Sequence, residues 1–167
     1  MTDVLKLIVN KGCDELRYFP YDQDDVTTQP DQESMKRAAN FKALRWEYVR
    51  TDVSHLKSFL AKGNAIPVGI GSYQDLFDLD SNNDIYDDLS GGEIGLHAVT
   101  LVGYDDEKKA FKFINSWGTD WGINGYGWLA YSLVTNSTWY DNSNWWTATK
   151  GRLFMRSYLL IDGENTI

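Results

Sequence analysis

Residues 95–131, GLHAVTLVGYDDEKKAFKFINSWGTDWGINGYGWLAY, decide how this chain is read. VTLVGY (99–104) and AFKFIN (110–115) are rich in β-branched and aromatic residues, and the polar stretch DDEKK (105–109) separates them. That pattern predicts a β-hairpin. A turn near Asp106 sets His97 and Asn115 directly opposite each other on one face of it. Directly opposed residues have Cβ atoms about 4.5–5.5 Å apart. At that distance an Asn amide oxygen can accept from an imidazole N–H and hold the ring's tautomer and direction, the orienting role that a catalytic base requires. A His and an Asn so placed also occur on hairpins that carry no chemistry. The residues around them decide between the two readings.

On the first strand His97-Ala98-Val99 leads to Val102-Gly103-Tyr104. The second strand runs into Asn115-Ser116-Trp117-Gly118-Thr119-Asp120-Trp121-Gly122-Ile123-Asn124-Gly125-Tyr126. This segment resembles the later half of the active site of papain-like cysteine peptidases. Members of that family show a His before a V-G-Y strand, then N-S-W-G-x-x-W-G-x-x-G-Y, and every fixed position of that run is matched here. The resemblance implies that His97 is the imidazole partner of a thiolate and that Asn115 orients it. It implies that Trp117 shields their hydrogen bond from water, which strengthens such a contact, and that Trp121 walls the leaving-group side of the cleft. Core filling is the alternative role for both tryptophans.

The likeness extends upstream. Phe19-Pro20-Tyr21 is similar to the family's Y-P-Y element, LKLIVNKG (5–12) to the short helix before it, and Ile66-Pro67-Val68-Gly69-Ile70 to the strand that opens its β domain. The resemblance places Pro20, Gly71 and Ala98 around a pocket for an apolar substrate side chain. The other reading makes them a turn proline, a strand-end glycine and a small packing residue. LFMRSYLLI (153–161) is similar to the family's last strand. The implied fold is α+β, a papain-like cysteine proteinase fold lacking the N-terminal segment that holds the central nucleophile helix.

That missing segment would hold a Gln of the oxyanion hole and a Cys at a helix N-terminus, in a C-G-x-C-W-like stretch. No such stretch occurs here. A helix N-terminus beside an imidazolium lowers a thiol's pKa and makes a reactive thiolate. The chain's single cysteine, Cys13, has the reverse setting: it follows Lys11-Gly12, where Gly12 reads as a helix C-terminal cap. We read Cys13 as a small buried apolar residue rather than a nucleophile. The family reaction is peptide bond hydrolysis through an acyl-enzyme. The expected function is therefore the C-terminal portion of a papain-like cysteine peptidase whose nucleophile lies off this chain. The alternative is a catalytically inactive homologue acting as a peptide- or carbohydrate-binding module. The expected partners are a polypeptide substrate and either the missing N-terminal segment or a self-associated copy. Without the nucleophile helix, Val4, Leu5, Ile8 and the inner face of the strands are expected to lack a packing partner.

Composition fits these expectations. Of 167 residues 43% are hydrophobic and 14% aromatic, enough for one or two small cores. The net charge of −8 argues against nucleic acid or an anionic membrane as partners. No apolar run approaches a membrane span. Met1-Thr2-Asp3 opens directly inside a helical pattern without a signal-peptide pattern, where an intact family member is not expected to start. One cysteine excludes an intrachain disulfide, so the chain is similar to the disulfide-free prokaryotic type. The sequence implies no cofactor and assigns no compartment.

Two domains are expected. Residues 1–45 read as helix and loop, a remnant of the family's helical domain, with Val4, Leu5 and Ile8 on one helix face and a short helix at 33–41. Residues 46–167 read as the β-rich domain carrying His97 and Asn115. A helix over about 52–62 has Asp52 as N-cap, an apolar face of Val53, Leu56, Phe59 and Leu60, and Gly63 at its end. Strands are expected near 66–71, 97–104, 110–116, 126–131 and 153–161. DLDSNNDIYDDL (78–89) spaces Asp78, Asp80, Asn82 and Asp84 as an EF-hand loop does, but Leu89 stands in place of the bidentate Glu and Asn83 in place of the turn Gly. We read it as a solvated acidic loop and assign no metal. TNSTWYDNSNWWTATKG (135–151) reads as an insertion whose tryptophans clamp it to the body, with a carbohydrate or partner platform as the alternative.

Overall fold

The computed structural model of the chain describes residues 2–22, 24–135 and 156–162. The insertion at 136–151, with Trp139, Tyr140, Trp145, Trp146 and the glycosylation-type triplet Asn136-Ser137-Thr138, lies outside the described residues, and so does Thr135 as regards its side chain. The elements in chain order are α1 (Thr2–Asn10), α2 (Gln32–Ala38), β1 (Ala43–Val49), α3 (Val53–Leu60), β2 (Ile66–Ser72) and α4 (Gln74–Phe77). There follow β3 (Ile85–Tyr86), β4 (Gly95–Asp105), β5 (Ala110–Ile114), β6 (Tyr126–Ala130), α5 (Tyr131–Thr135) and β7 (Arg156–Asp162). They divide into two compact units. One holds the residues up to Glu47 together with the end of β7 from Leu160, and the other runs from Tyr48 to Leu159.

In the first unit, α1 ends as the sequence requires. Gly12 adopts φ +90°, and its N–H donates to the Leu7 and Ile8 carbonyls at 3.2 and 3.1 Å. A Cβ there would collide with the Ala38 carbonyl, so only glycine fits this left-handed cap. Cys13 corrects the sequence reading: it is exposed, not buried. The turn at Gly12 directs the chain so that the Cys13 backbone N–H donates to Phe41 O at 3.2 Å, which leaves the side chain at the surface. The α1 face also differs. Leu5 is buried and Ile8 half-buried, whereas Val4 is exposed. α2 begins one residue earlier than expected, because Asp31 accepts from Ser34 N at 2.7 Å and caps it.

The second unit is a sheet in the order β7-β2-β4-β5-β6-β3. β2 pairs antiparallel with β4 and β7, β4 with β5, and β5 with β6, while β3 runs parallel to β6. Ile66, Val68 and Ile70 of β2, Leu101 of β4, Phe113 of β5 and Leu129 of β6 are fully buried. α3 covers β2 and β4, and α5 packs on α3 and β6. The unit buries an apolar core of its own, while Leu96, Ala98 and Ile114, which share one sheet face, remain exposed. α3 carries the seal with Leu56 and Leu60, both buried.

The helix α3 starts where Asp52 accepts from His55 N at 2.8 Å and ends before Gly63 at φ +82°. Asp52→Ala is expected to lower stability by about 0.5–2 kcal/mol, read from chemical denaturation. An unchanged midpoint would mean that the cap is not used. His55, which has no evident partner in sequence, receives a hydrogen bond from Arg50 at its Nδ1 at 3.3 Å and lies edge-on to Phe59.

Candidate active site

The site residues of the second unit are placed by the β4–β5 hairpin, and one irregularity in it decides their geometry. The turn occupies residues 106–109, held by Asp105, whose carboxylate accepts from Glu107 N and Lys108 N at 2.8 and 3.0 Å. Asp105 pairs with Ala110. Carried straight along the ladder, that register would set Asn115 opposite Thr100, on the face away from His97. A β-bulge at Val102, between the pairs Gly103–Lys112 and Leu101–Phe113, inserts one residue into β4. Ile114 then pairs with Thr100, and the next step brings Asn115 opposite Val99, on the face that His97 shares. The expected direct opposition of His97 and Asn115 is thus corrected to a diagonal one. Their side chains still span it, as diagonal neighbours of this length can.

His97 Nε2 lies 2.8 Å from Asn115 Oδ1. The proton's position follows from a second contact. Asn115 Oδ1 also accepts from the Ser116 backbone N–H at 2.8 Å, and a backbone N–H can only donate. The amide is thereby oriented with its oxygen toward the imidazole, so Nε2 must carry the hydrogen. Nδ1 is left as the ring's free basic position. The Asn115 N–H donates nothing to Ser116; it donates to Gly125 O at 2.9 Å and ties the strand end to the Trp- and Gly-rich loop. Asn115 Nδ2 is buried and has no hydrogen-bond partner among the described residues.

Aromatic rings surround this pair. Trp117 stands 4.5 Å from the His97 ring, centroid to centroid, at an interplanar angle of 32°. Trp121 meets Trp117 edge-on at 5.5 Å and Phe113 at 5.8 Å. Its indole N–H donates to the Leu76 carbonyl at 3.2 Å. The glycines of the loop are needed for this path. Gly118, Gly122 and Gly125 all have positive φ, and a Cβ on Gly122 would strike the Tyr126 backbone.

Of the residues expected around a side-chain pocket, Gly71 and Ala98 lie in the second unit on one sheet face. Gly71 pairs with Leu96, and Ala98 pairs with Gly69, so these four share the sheet face opposite to His97. Ala98 and Leu96 are exposed there, whereas Gly71 is buried. The Gly71 carbonyl accepts from Tyr86 OH at 2.9 Å, and burial raises that phenol's pKa well above its ordinary range. Pro20 belongs to the first unit, where it is exposed between Phe19 and Tyr21. Phe77, at the end of α4, escaped the sequence reading. It stacks on Trp117 at 5.0 Å and 19°. Its signal was weak, because α4 is a single short turn without amphipathic period.

Among the described residues no group of three or more His, Cys, Asp or Glu side chains is placed to hold a metal. In the acidic loop the Asp80 carboxylate instead accepts from Asn83 N and Asn82 N, which holds its pKa below the usual carboxylate range, and Asp84 pairs with Lys108. Among the described residues no helix is long and apolar enough to cross a membrane.

The model of the papain family of cysteine proteases matches residues 1–142, and the chain belongs to that family. It is 31% identical over 136 residues to cathepsin K of Gallus gallus, covering 80% of this chain and 40% of the relative. It is 29% identical over 137 residues to an uncharacterized peptidase C1-like protein of Acanthamoeba polyphaga mimivirus, covering 74% of this chain and 43% of that one. The chain thus spans less than half the length of these relatives. Among solved structures it is similar to xylellain, a cysteine protease from Xylella fastidiosa, with TM-score 0.77 and 23% identity over 98% of this chain and 61% of that one. The bromelain protease of Ananas comosus superposes with TM-score 0.62 at 21% identity, over 95% of this chain and 67% of that one. The α+β papain-like fold expected from the hairpin is the fold of the chain.

Proposed function

We propose that this chain carries the His–Asn half of a cysteine peptidase site that hydrolyses peptide bonds, and that the nucleophilic thiolate comes from polypeptide beyond this sequence. The observation that supports the reading is the 2.8 Å contact from His97 Nε2 to an Asn115 oxygen whose direction Ser116 N sets. This arrangement leaves Nδ1 to take the proton of a cysteine thiol. The thiolate attacks the peptide carbonyl, and Nδ1–H then protonates the leaving amine as the acyl-enzyme forms. Neutral again, Nδ1 takes a proton from the water that releases the acid and returns it to the sulfur. Trp117 keeps bulk water from the Nε2–Oδ1 bond, which strengthens it. Trp121 bounds the leaving-group side.

Cys13 is not the nucleophile in this reading. It lies at the surface after the C-terminal end of α1, not at a helix N-terminus. The 167-residue chain alone is therefore expected to hydrolyse no peptide substrate. A peptidyl epoxide directed at papain-type thiols is expected to give no His97-dependent adduct. Mass spectrometry decides this: stoichiometric labelling of Cys13 that His97→Ala abolishes would sink the assignment. An upstream coding segment with a Gln and a C-G-x-C-W-like stretch supports the peptidase reading. A full-length product without a second cysteine points to the inactive peptide- or carbohydrate-binding homologue.

A further inference from the structure

We propose that Phe77 is a positioning residue for the His97–Asn115 pair, acting through Trp117. The proposal rests on the reading of that pair as the catalytic one, and goes beyond it by adding α4 to the machinery. Three observations carry it. Phe77 stacks nearly parallel on Trp117, at 5.0 Å and 19°, and Trp117 in turn lies 4.5 Å from the His97 ring. Phe77 remains 42% exposed, so filling the core does not account for a large apolar side chain here. Finally, α4 is anchored independently of this contact: Leu76 is fully buried, and its carbonyl accepts from the Trp121 indole N–H.

These contacts make a relay of rings with a fixed base. Trp117 is itself 37% exposed, and among the described residues its ring meets those of Phe77, Trp121 and His97. Phe77 supplies the surface that holds the indole plane against the imidazole. Aromatic pairs of this spacing favour offset stacking beyond what their buried area provides. With the indole held, the Nε2–H···Oδ1 bond stays covered and the imidazole keeps Nδ1 in one direction. With the indole released, water reaches Nε2–H and the ring gains freedom.

The test reads the resting imidazole of the 167-residue chain by NMR, so its outcome is independent of whether the complete protein cleaves peptides. In Phe77→Ala, the His97 carbon-bound ring protons are expected to lose part of the upfield shift that Trp117 imposes. The Nε2–H is expected to exchange with solvent about two- to tenfold faster, the range that the loss of one aromatic pair implies. Phe77→Tyr is expected to restore both signals. Phe77→Leu keeps apolar bulk without a ring face and separates stacking from packing. Its His97 signals are expected to fall with those of Phe77→Ala, while the Leu101 and Phe113 resonances stay in place. Wild-type His97 signals in Phe77→Leu, or unchanged Nε2–H exchange in a folded Phe77→Ala, would overturn the proposal.

Discussion

In the complete protein, His97→Ala is expected to lower kcat for peptide hydrolysis by about 10²–10⁴-fold, the usual contribution of a positioned general acid–base. The loss should fall on kcat more than on KM, because the imidazole acts on the proton in flight and not on the bound peptide. Asn115→Ala is expected to give a smaller loss in the same direction. It leaves the ring in place but frees its tautomer, since the oxygen that Ser116 N orients toward Nε2 is gone. Steady-state kinetics on the three proteins decide the point. Equal activity of His97→Ala and the parent would remove His97 from the chemistry, and the hairpin would then be a fold resemblance only.

Phe113→Ala is expected to destabilise the second unit by about 3–5 kcal/mol, measured by urea denaturation. The whole stability of a domain is roughly 5–15 kcal/mol, so this single change would consume much of it. The magnitude follows from position. Phe113 is fully buried, pairs with Leu101 on one side and Gly127 on the other, and stands beside Trp121. A Cβ on Gly127 would come within 2.8 Å of Phe113 Cζ and 2.9 Å of Leu79 Cδ1, so the ring fills the space that this glycine leaves. The surrounding strands are hydrogen-bonded into the sheet and cannot collapse into a ring-sized void. A loss below about 1 kcal/mol, less than an ordinary core truncation, would show that β5 is not packed in this way.

The same residues show how much could be read in advance. α3 was legible because its signals are local: Asp52 caps it, Leu56 and Leu60 recur at helical spacing, and Gly63 closes it. Strands β2, β4, β5 and β6 were legible from β-branched and aromatic runs between polar turns. β3 and α4 were not, because β3 is two residues and α4 four, too short for any period to register. Cys13 was misread because thiols are usually buried, and its exposure depends on a hydrogen bond to Phe41, distant in sequence. Which apolar strand residues end up covered was not legible, because it rests on where α3 and α5 pack, which is non-local.

The site divides along the same line. The identities of the pair, the tryptophans and the loop glycines are covalent facts, and their run Asn115–Tyr126 already names the family. Whether His97 and Asn115 meet is a matter of strand parity. The Asp105–Ala110 pairing alone would turn Asn115 to the other face, and the bulge at Val102 turns it back. Nothing in V-T-L-V-G-Y announces which residue will bulge, because a bulge is settled by the partner strands on either side. The sequence therefore carries the chemistry. Sheet pairing gives that chemistry its face, since side chains alternate with a period of two and a single inserted residue reverses them.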